Sequence, residues 1–267
     1  MIQPNRILRV FVLTVAYSFL YVPIVCLMAF SFNDSAIMTS WSGFSWKWYY
    51  ELFKDQALLD AAGLSLQIAV LSATAATIIG TWIGYVLARM GHFRGFALFV
   101  GMVSAPLVIP EVVLGISLLL MFVEMGDLFG WPDGNGMFTI WVGHVSLCTA
   151  YVAVVIQSRI RDLDRSQEEA ALDLGARPLK VFFAIIVPSI APALLAAWLL
   201  AFTLSLDDVV VASFLSGPGY TTLPLEVFSR VRLGLKPEIN ALATLFMLVV
   251  GICIIVANRI HWNRESK

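Results

Sequence analysis

Long stretches of the chain carry no charged residue, and their lengths decide what they can form. Uncharged apolar runs occupy 10–32, 64–88, 137–158, 181–206 and 239–258, and a further run, 96–123, is interrupted only by Glu111. A helical crossing of a bilayer core needs about 20 apolar residues. Each run reaches that length, and each is expected to be helical, because lipid offers no other partner for its backbone groups. Transmembrane strands would be about half as long and would alternate in polarity. Pro188 marks where a polar loop, 159–188, meets the span after it. The predicted spans are therefore 10–32, 64–88, 96–123, 137–158, 189–213 and 239–258, in one transmembrane domain covering 1–267. Pro106 and Pro110 predict a kink in the third. The first run is too long for the apolar core of a secretion leader and holds Tyr17, Tyr21 and Pro23. It has no convincing small-residue cleavage site before Asn33, and it reads as a retained helix.

Basic residues give the orientation. With the N-terminus in the cytoplasm, segments 1–9, 89–95, 159–180 and 259–267 face inward and hold 12 of the 17 Lys and Arg. The outward segments hold Lys47, Lys54, Arg230, Arg232 and Lys236. An excess of this sign marks the cytoplasmic side. Six spans then return the C-terminus to the cytoplasm as well. Of the 18 acids, 12 lie outside or within spans. An acidic outer half would attract a cation, although such acids are equally tolerated in solvated loops.

The chain is 60% hydrophobic and 13% charged, with a formal net charge of −1. Soluble domains average about 25% charged. This excludes a disordered chain, a disulfide scaffold and an ordinary soluble enzyme. It gives no basic excess for nucleic acid. Cys26, Cys148 and Cys253 sit far apart in apolar runs, so they read as buried small side chains. Gly80 and Gly84 form a GxxxG pair suited to close helix packing. The 33–63 loop carries Trp41, Trp46, Trp48, Tyr49 and Tyr50, aromatics typical of headgroup depth, and 46–53 reads as an interfacial helix.

The 159–188 loop has legible local chemistry. Ser166 and Glu169 have capping-box spacing, Gly175 suits a left-handed helix end, and Pro178 suits a first helical turn. The product is a helix–turn–helix at the membrane surface, with Ala170 and Ala171 keeping one face small. A plain solvated linker is the alternative reading. The spacing, however, resembles the EAA loop of permease subunits of bacterial ABC importers: E-A-A, three residues, G, nine residues, I, one residue, L-P. Glu169, Ala170, Ala171, Gly175, Ile185 and Pro188 fall on it, with Val187 in place of the Leu. The likeness extends over nearly the whole chain, including 201–210, 216–219, 222–225, 237–244, Ser31-Phe32-Asn33 and the Trp48-Tyr49 region. It is closest to permease subunits for putrescine and spermidine, especially the putrescine type.

This resemblance implies an all-α type I ABC importer permease fold in the bacterial inner membrane, and a transport subunit rather than an enzyme. It also implies the partners: a second, different permease subunit, a homodimeric cytoplasmic ABC ATPase and a periplasmic polyamine-binding protein. Glu169, Ala170, Ala171 and Gly175 would belong to the coupling helix that docks on the ATPase. The chain has no GxxxxGK[ST] loop, so no cofactor is expected on it and ATP would be used by the partner.

Three acids fall within spans, in the outer half by residue count: Glu111, Asp207 and Asp208. Carboxylates at such depth must face protein, water or a cation, so a substrate pathway is their expected role. A diammonium substrate needs carboxylates for its charged ends, and aromatic faces can hold its methylenes. Asp207 and Asp208 equally suit pairing with Arg230, Arg232 or the second permease, or capping a helix. His144, alone in the fourth span, reads as a hydrogen-bonded packing residue. Competing functions are a permease for spermidine or another small solute, an ion-coupled secondary transporter, and an intramembrane enzyme. The secondary transporter leaves the EAA spacing unexplained. The enzyme lacks a nucleophile–base constellation.

Overall fold

The computed structural model describes residues 6–35, 40–91, 93–234 and 237–248. In chain order the helices are α1 (Arg6–Phe30), α2 (Lys47–Lys54), α3 (Gln56–Arg89), α4 (Phe96–Val108), α5 (Glu111–Phe129), α6 (Met137–Arg161) and α7 (Ser166–Asp173). They continue as α8 (Pro178–Ser189), α9 (Ala191–Asp207), α10 (Val210–Leu215), α11 (Leu223–Leu233) and α12 (Pro237–Leu248). Extended pairing among the described residues is limited to one antiparallel bridge, Asn33 with Phe44.

Helices α1, α3, α5 and α6 are long and apolar enough to cross a membrane. α8 and α9, bent by 75° across Ile190, make at most one further span. The third predicted span is two helices rather than one kinked helix. Ile109 is extended (φ −74°, ψ 132°), because the Pro110 ring disfavours the helical conformation in the residue before it. Pro110 also brings no N–H to bridge the gap. Pro106 is absorbed inside α4. The predicted 189–213 span is likewise interrupted, at Asp208, whose ψ is 128°. The 239–258 span is described only as far as Leu248. The rest of it, with His92, Cys253 and His261, lies outside the described residues.

The chain forms two compact units, 1–59 with 227–267, and 60–226. In the first, Asn33 is a buried hub. Its Oδ1 accepts the Ser42 N–H at 2.9 Å, its Nδ2 donates to Ser40 O at 2.7 Å, and its carbonyl accepts the Trp48 indole N–H at 2.6 Å. Phe32 gathers the rings of Phe44, Trp46 and Tyr49 at 4.9–5.3 Å. α2 buries Trp48 and Leu52. At its end, Asp55 accepts the Leu58 N–H at 3.1 Å and pairs with Arg230, whose Nη2 lies 3.1 Å from Oδ1.

The second unit is built around α6, which buries Ile140, Leu147, Val152, Ile156 and Ile160. α3 lies against it through its two glycines. A Cβ on Gly80 would come within 2.7 Å of a Val152 methyl, and one on Gly84 within 2.9 Å of the Gln157 backbone nitrogen. The GxxxG pair therefore removes side chains where two backbones meet. Phe182, Ile186, Ile190, Ala197 and Ala201 complete the core on one flank of α6. Ile68, Phe122, Val211 and Leu215 surround Ile140 towards its start.

Candidate functional site

The 159–188 loop is a helical hairpin. α7 ends in a two-bond left-handed cap. Gly175, at φ +81°, donates to Leu172 O at 2.9 Å, and Ala176 donates to Ala171 O at 3.0 Å. Only glycine takes this conformation without a Cβ penalty. Pro178 opens α8. The start of α7 differs from the expected capping box. Asp164, not Ser166, supplies the acceptor: it takes the Ser166 N–H at 3.0 Å and the Ser166 hydroxyl at 2.7 Å. Those two hydrogen bonds hold the Asp164 carboxyl below the usual carboxylate range. Glu169, Ala170 and Gly175 are exposed and Ala171 is half-buried. Leu174 and Leu179 are 90% and 63% exposed, so the hairpin presents apolar side chains around its turn.

Among the contacts that fasten this hairpin to the bundle, Arg165 Nη2 donates to Ala88 O at 3.4 Å, and two others hold it more closely. Arg89, in the last turn of α3, lays its guanidinium on Glu168: Nη2 to Oε1 is 2.6 Å and Nε to Oε1 is 3.0 Å. Its Nη2 also donates to Leu163 O at 3.3 Å. Both side chains are nearly buried, at 8% and 13% exposure. A cation here also suits the negative end of the α3 dipole. The second fastening is aromatic. Phe182 stacks on Trp82 of α3 at 4.3 Å between centroids and meets Tyr85 edge-on at 5.0 Å. These rings sit at a π-helical turn, Phe182–Ile186, inside α8. The hairpin is thus joined to α3 by an ion pair and by an aromatic stack.

Deeper in the same unit, His144 and Asp208 make a buried polar joint. The His144 Nδ1 lies 2.7 Å from Ser205 Oγ and its Nε2 lies 3.2 Å from Asp208 Oδ2. Asp208 also accepts the N–H groups of Val211 at 3.3 Å and Ala212 at 2.8 Å. One carboxylate therefore caps α10 and ties it to α6 across the break after α9. Burial without these partners would cost several kcal/mol, on the order of 1–3 per unsatisfied group.

The three predicted pathway acids have different settings. Asp208 is enclosed in the joint. Asp207, its neighbour, is exposed at the end of α9, and Glu111 is exposed in the first turn of α5. No hydrogen bond joins Glu111 to either aspartate among the described residues. Sequence reasoning missed Arg89 and Glu168 as partners, since 79 positions separate them. It also left the His144–Asp208 link unassigned. An aspartate just before an apolar run is a helix-start signal that points to the capping role.

The family described as binding-protein-dependent transport system inner membrane component matches residues 76–266. The chain is 58% identical over 249 residues to the putrescine transport system permease protein PotI of Escherichia coli (strain K12), covering 93% of this chain and 89% of that one. It is 41% identical over 263 residues to the spermidine/putrescine transport system permease protein PotC of the same strain, covering 98% and 97%. A bacterial ABC transporter involved in import of the acidic polysaccharide alginate has a chain of similar fold, with TM-score 0.74 at 17% identity over 98% of this chain and 99% of that one. The inward-facing MetNI methionine ABC transporter gives 0.61 at 15% over 81% and 97%. With its apolar helices and the hairpin clamped at one end of α3 and α6, the chain belongs to the binding-protein-dependent inner membrane transport components and is a multi-pass subunit with the type I ABC importer permease fold.

Proposed function

We propose that the chain is the membrane-spanning subunit of an ATP-driven importer that carries a polyamine, putrescine, into the cytoplasm by alternating access. The observation that carries the substrate is the 58% identity to a putrescine permease over 93% of the chain. In this reading the N-terminus and the α7–α8 hairpin are cytoplasmic. Glu169, Ala170, Ala171 and Gly175 meet a homodimeric ABC ATPase, which binds and uses the ATP. A second, different permease completes the pathway, and a periplasmic polyamine-binding protein delivers the solute. The exposed Leu174 and Leu179 supply apolar area for that docking, about 25 cal/mol for each Å² removed from water.

Glu111 and Asp207 are the pathway carboxylates in this proposal. They lower the barrier for a diammonium ion without forming a deep well, since tight holding would slow release. Asp208 acts on the pathway through the joint with His144. A spermidine-carrying alternative has its own support in the 41% identity to a spermidine/putrescine permease. The test is uptake of labelled putrescine by the complex in sealed vesicles. Uptake is expected to require ATP and the binding protein and to survive collapse of ion gradients. Uptake by this chain alone, driven by an ion gradient, would overturn the reading. Stronger uptake of spermidine than of putrescine would favour the alternative.

A further inference from the structure

The α5–α6 loop builds a cleft that the proposed pathway does not use. It lies at the end of α6 away from the hairpin, the 25 residues of α6 putting about 37 Å between them. The cleft measures about 600 Å³ and is lined by Trp131, Asp133, Phe138, Trp141 and Tyr220, with Leu71 at its edge. Three of its rings are contiguous. Phe138 lies 4.7 Å from Trp131 and 5.9 Å from Trp141 between centroids. A second hollow shares Asp133 and adds Asp127. Among the described residues, no Lys, Arg or His lines either one.

The frame is firmly held. Asn135 Nδ2 donates to Phe214 O at 3.1 Å, and the Thr139 hydroxyl lies 2.7 Å from Leu215 O. Gly217 approaches the Asn135 carbonyl so closely that a Cβ there would sit 1.9 Å from its oxygen. Gly136 meets the Tyr220 ring in the same way, at 3.2 Å. The loop and the 216–220 segment are thus locked together, which fixes Asp133 and Tyr220 around one opening.

We infer that this cleft is a receiving subsite for an alkylammonium cation, holding one charged end at Asp133 and the methylenes against Trp131, Phe138 and Tyr220. A carboxylate lining the same cleft as a cluster of rings is the chemistry that recognises a primary ammonium on an apolar chain. Rings that only anchor the chain in headgroups need neither a carboxylate nor a hollow. The all-acidic charge of the lining disfavours anionic solutes. The inference rests on the polyamine reading above and adds a station to it. In the proposed orientation this is the outer mouth, where cargo leaves the binding protein before it reaches Glu111 and Asp207.

The test uses a photoreactive diamine on the purified full complex, with putrescine uptake measured in parallel. Labelling is expected in the 127–141 peptide, competed by putrescine but not by the uncharged 1,4-butanediol. Asp133→Asn should lower labelling about tenfold, the loss of one charge-assisted hydrogen bond. Trp131→Leu, which keeps an apolar side chain, should lower it less. Unchanged labelling in Asp133→Asn, or equal competition by the diol, overturns the subsite while wild-type uptake leaves the polyamine reading standing. Absence of putrescine uptake by the wild-type complex overturns both.

Discussion

Two polar contacts in the 60–226 unit do opposite jobs. Arg89–Glu168 joins an exposed hairpin to the end of α3, with side chains 8% and 13% exposed. His144–Asp208 lies inside the bundle, with side chains 1% and 4% exposed, and bridges a helix break. The first ties the hairpin to the last turn of α3. The second keeps a discontinuous helix in register with α6. The difference lies in what happens to the abandoned partner. At the hairpin a lone Arg89 or Glu168 leaves no helix-start N–H group without its acceptor. At the joint a lone carboxylate stays buried, and two α10 N–H groups depend on it.

The sharpest way to break this comparison is at the joint. His144→Ala is expected to cost about 3 kcal/mol, the penalty of depriving a buried carboxylate of a partner. The effect should appear as lower complex yield and an earlier thermal transition. Asp208→Asn keeps an oxygen for the α10 N–H groups and should lose less. Equal stability of His144→Ala and the wild type would remove the distinction between the two contacts.

At the hairpin, the loss of stability should be smaller than at the joint and the loss of transmission larger. Arg89→Glu or Glu168→Arg alone should leave an assembled complex whose putrescine uptake per ATP hydrolysed falls about tenfold, corresponding to about 1.4 kcal/mol of lost coupling. The double exchange should recover most of it, as a pairwise interaction requires. A double exchange no better than either single one would show that the pair does not carry the motion.

The smallest effect belongs to a third ion pair, in the other unit. Arg230, together with the helix-start N–H groups, holds the Asp55 carboxyl below the usual carboxylate range, against the opposing effect of burial. A lowered folded pKa means that the pair stabilises fully above the unfolded carboxylate value, about 4, and weakens as pH falls through the folded one. Hydrogen exchange at Leu58, corrected for its intrinsic rate, should therefore rise on acidification below about pH 4. Asp55→Asn should raise exchange at neutral pH and flatten the profile.

Much of the fold was legible because its signals are local. The hairpin turn followed from Gly175 and Pro178, and a close helix approach from the four-residue spacing of Gly80 and Gly84, though not that α6 is the partner. Where local signals competed, the outcome was not readable. Asp164 and Ser166 both suit a helix start, and the aspartate took the role. Pro106 and Pro110 look alike in sequence, yet only the second ends a helix, because the chain extends at Ile109. Contacts distant in sequence left no trace in a single chain. Arg89 with Glu168, and Asn33 with Trp48, are visible only once the helices are packed.

The two glycines on α3 carry a mechanical consequence. They open a seam that does not stop with them: Ala73 and Ala76 share a core with Cys148 and Val152, and Ile68 packs with Ile140. From Ile68 to Gly84 the helix is held over about 24 Å of its length. A rod held over that span moves with its neighbour as one strut and has no free arm to swing. A push at Arg89 would therefore be carried along α3 and α6 together, and a side chain added at Gly80 or Gly84 would part the strut at the end nearest the push.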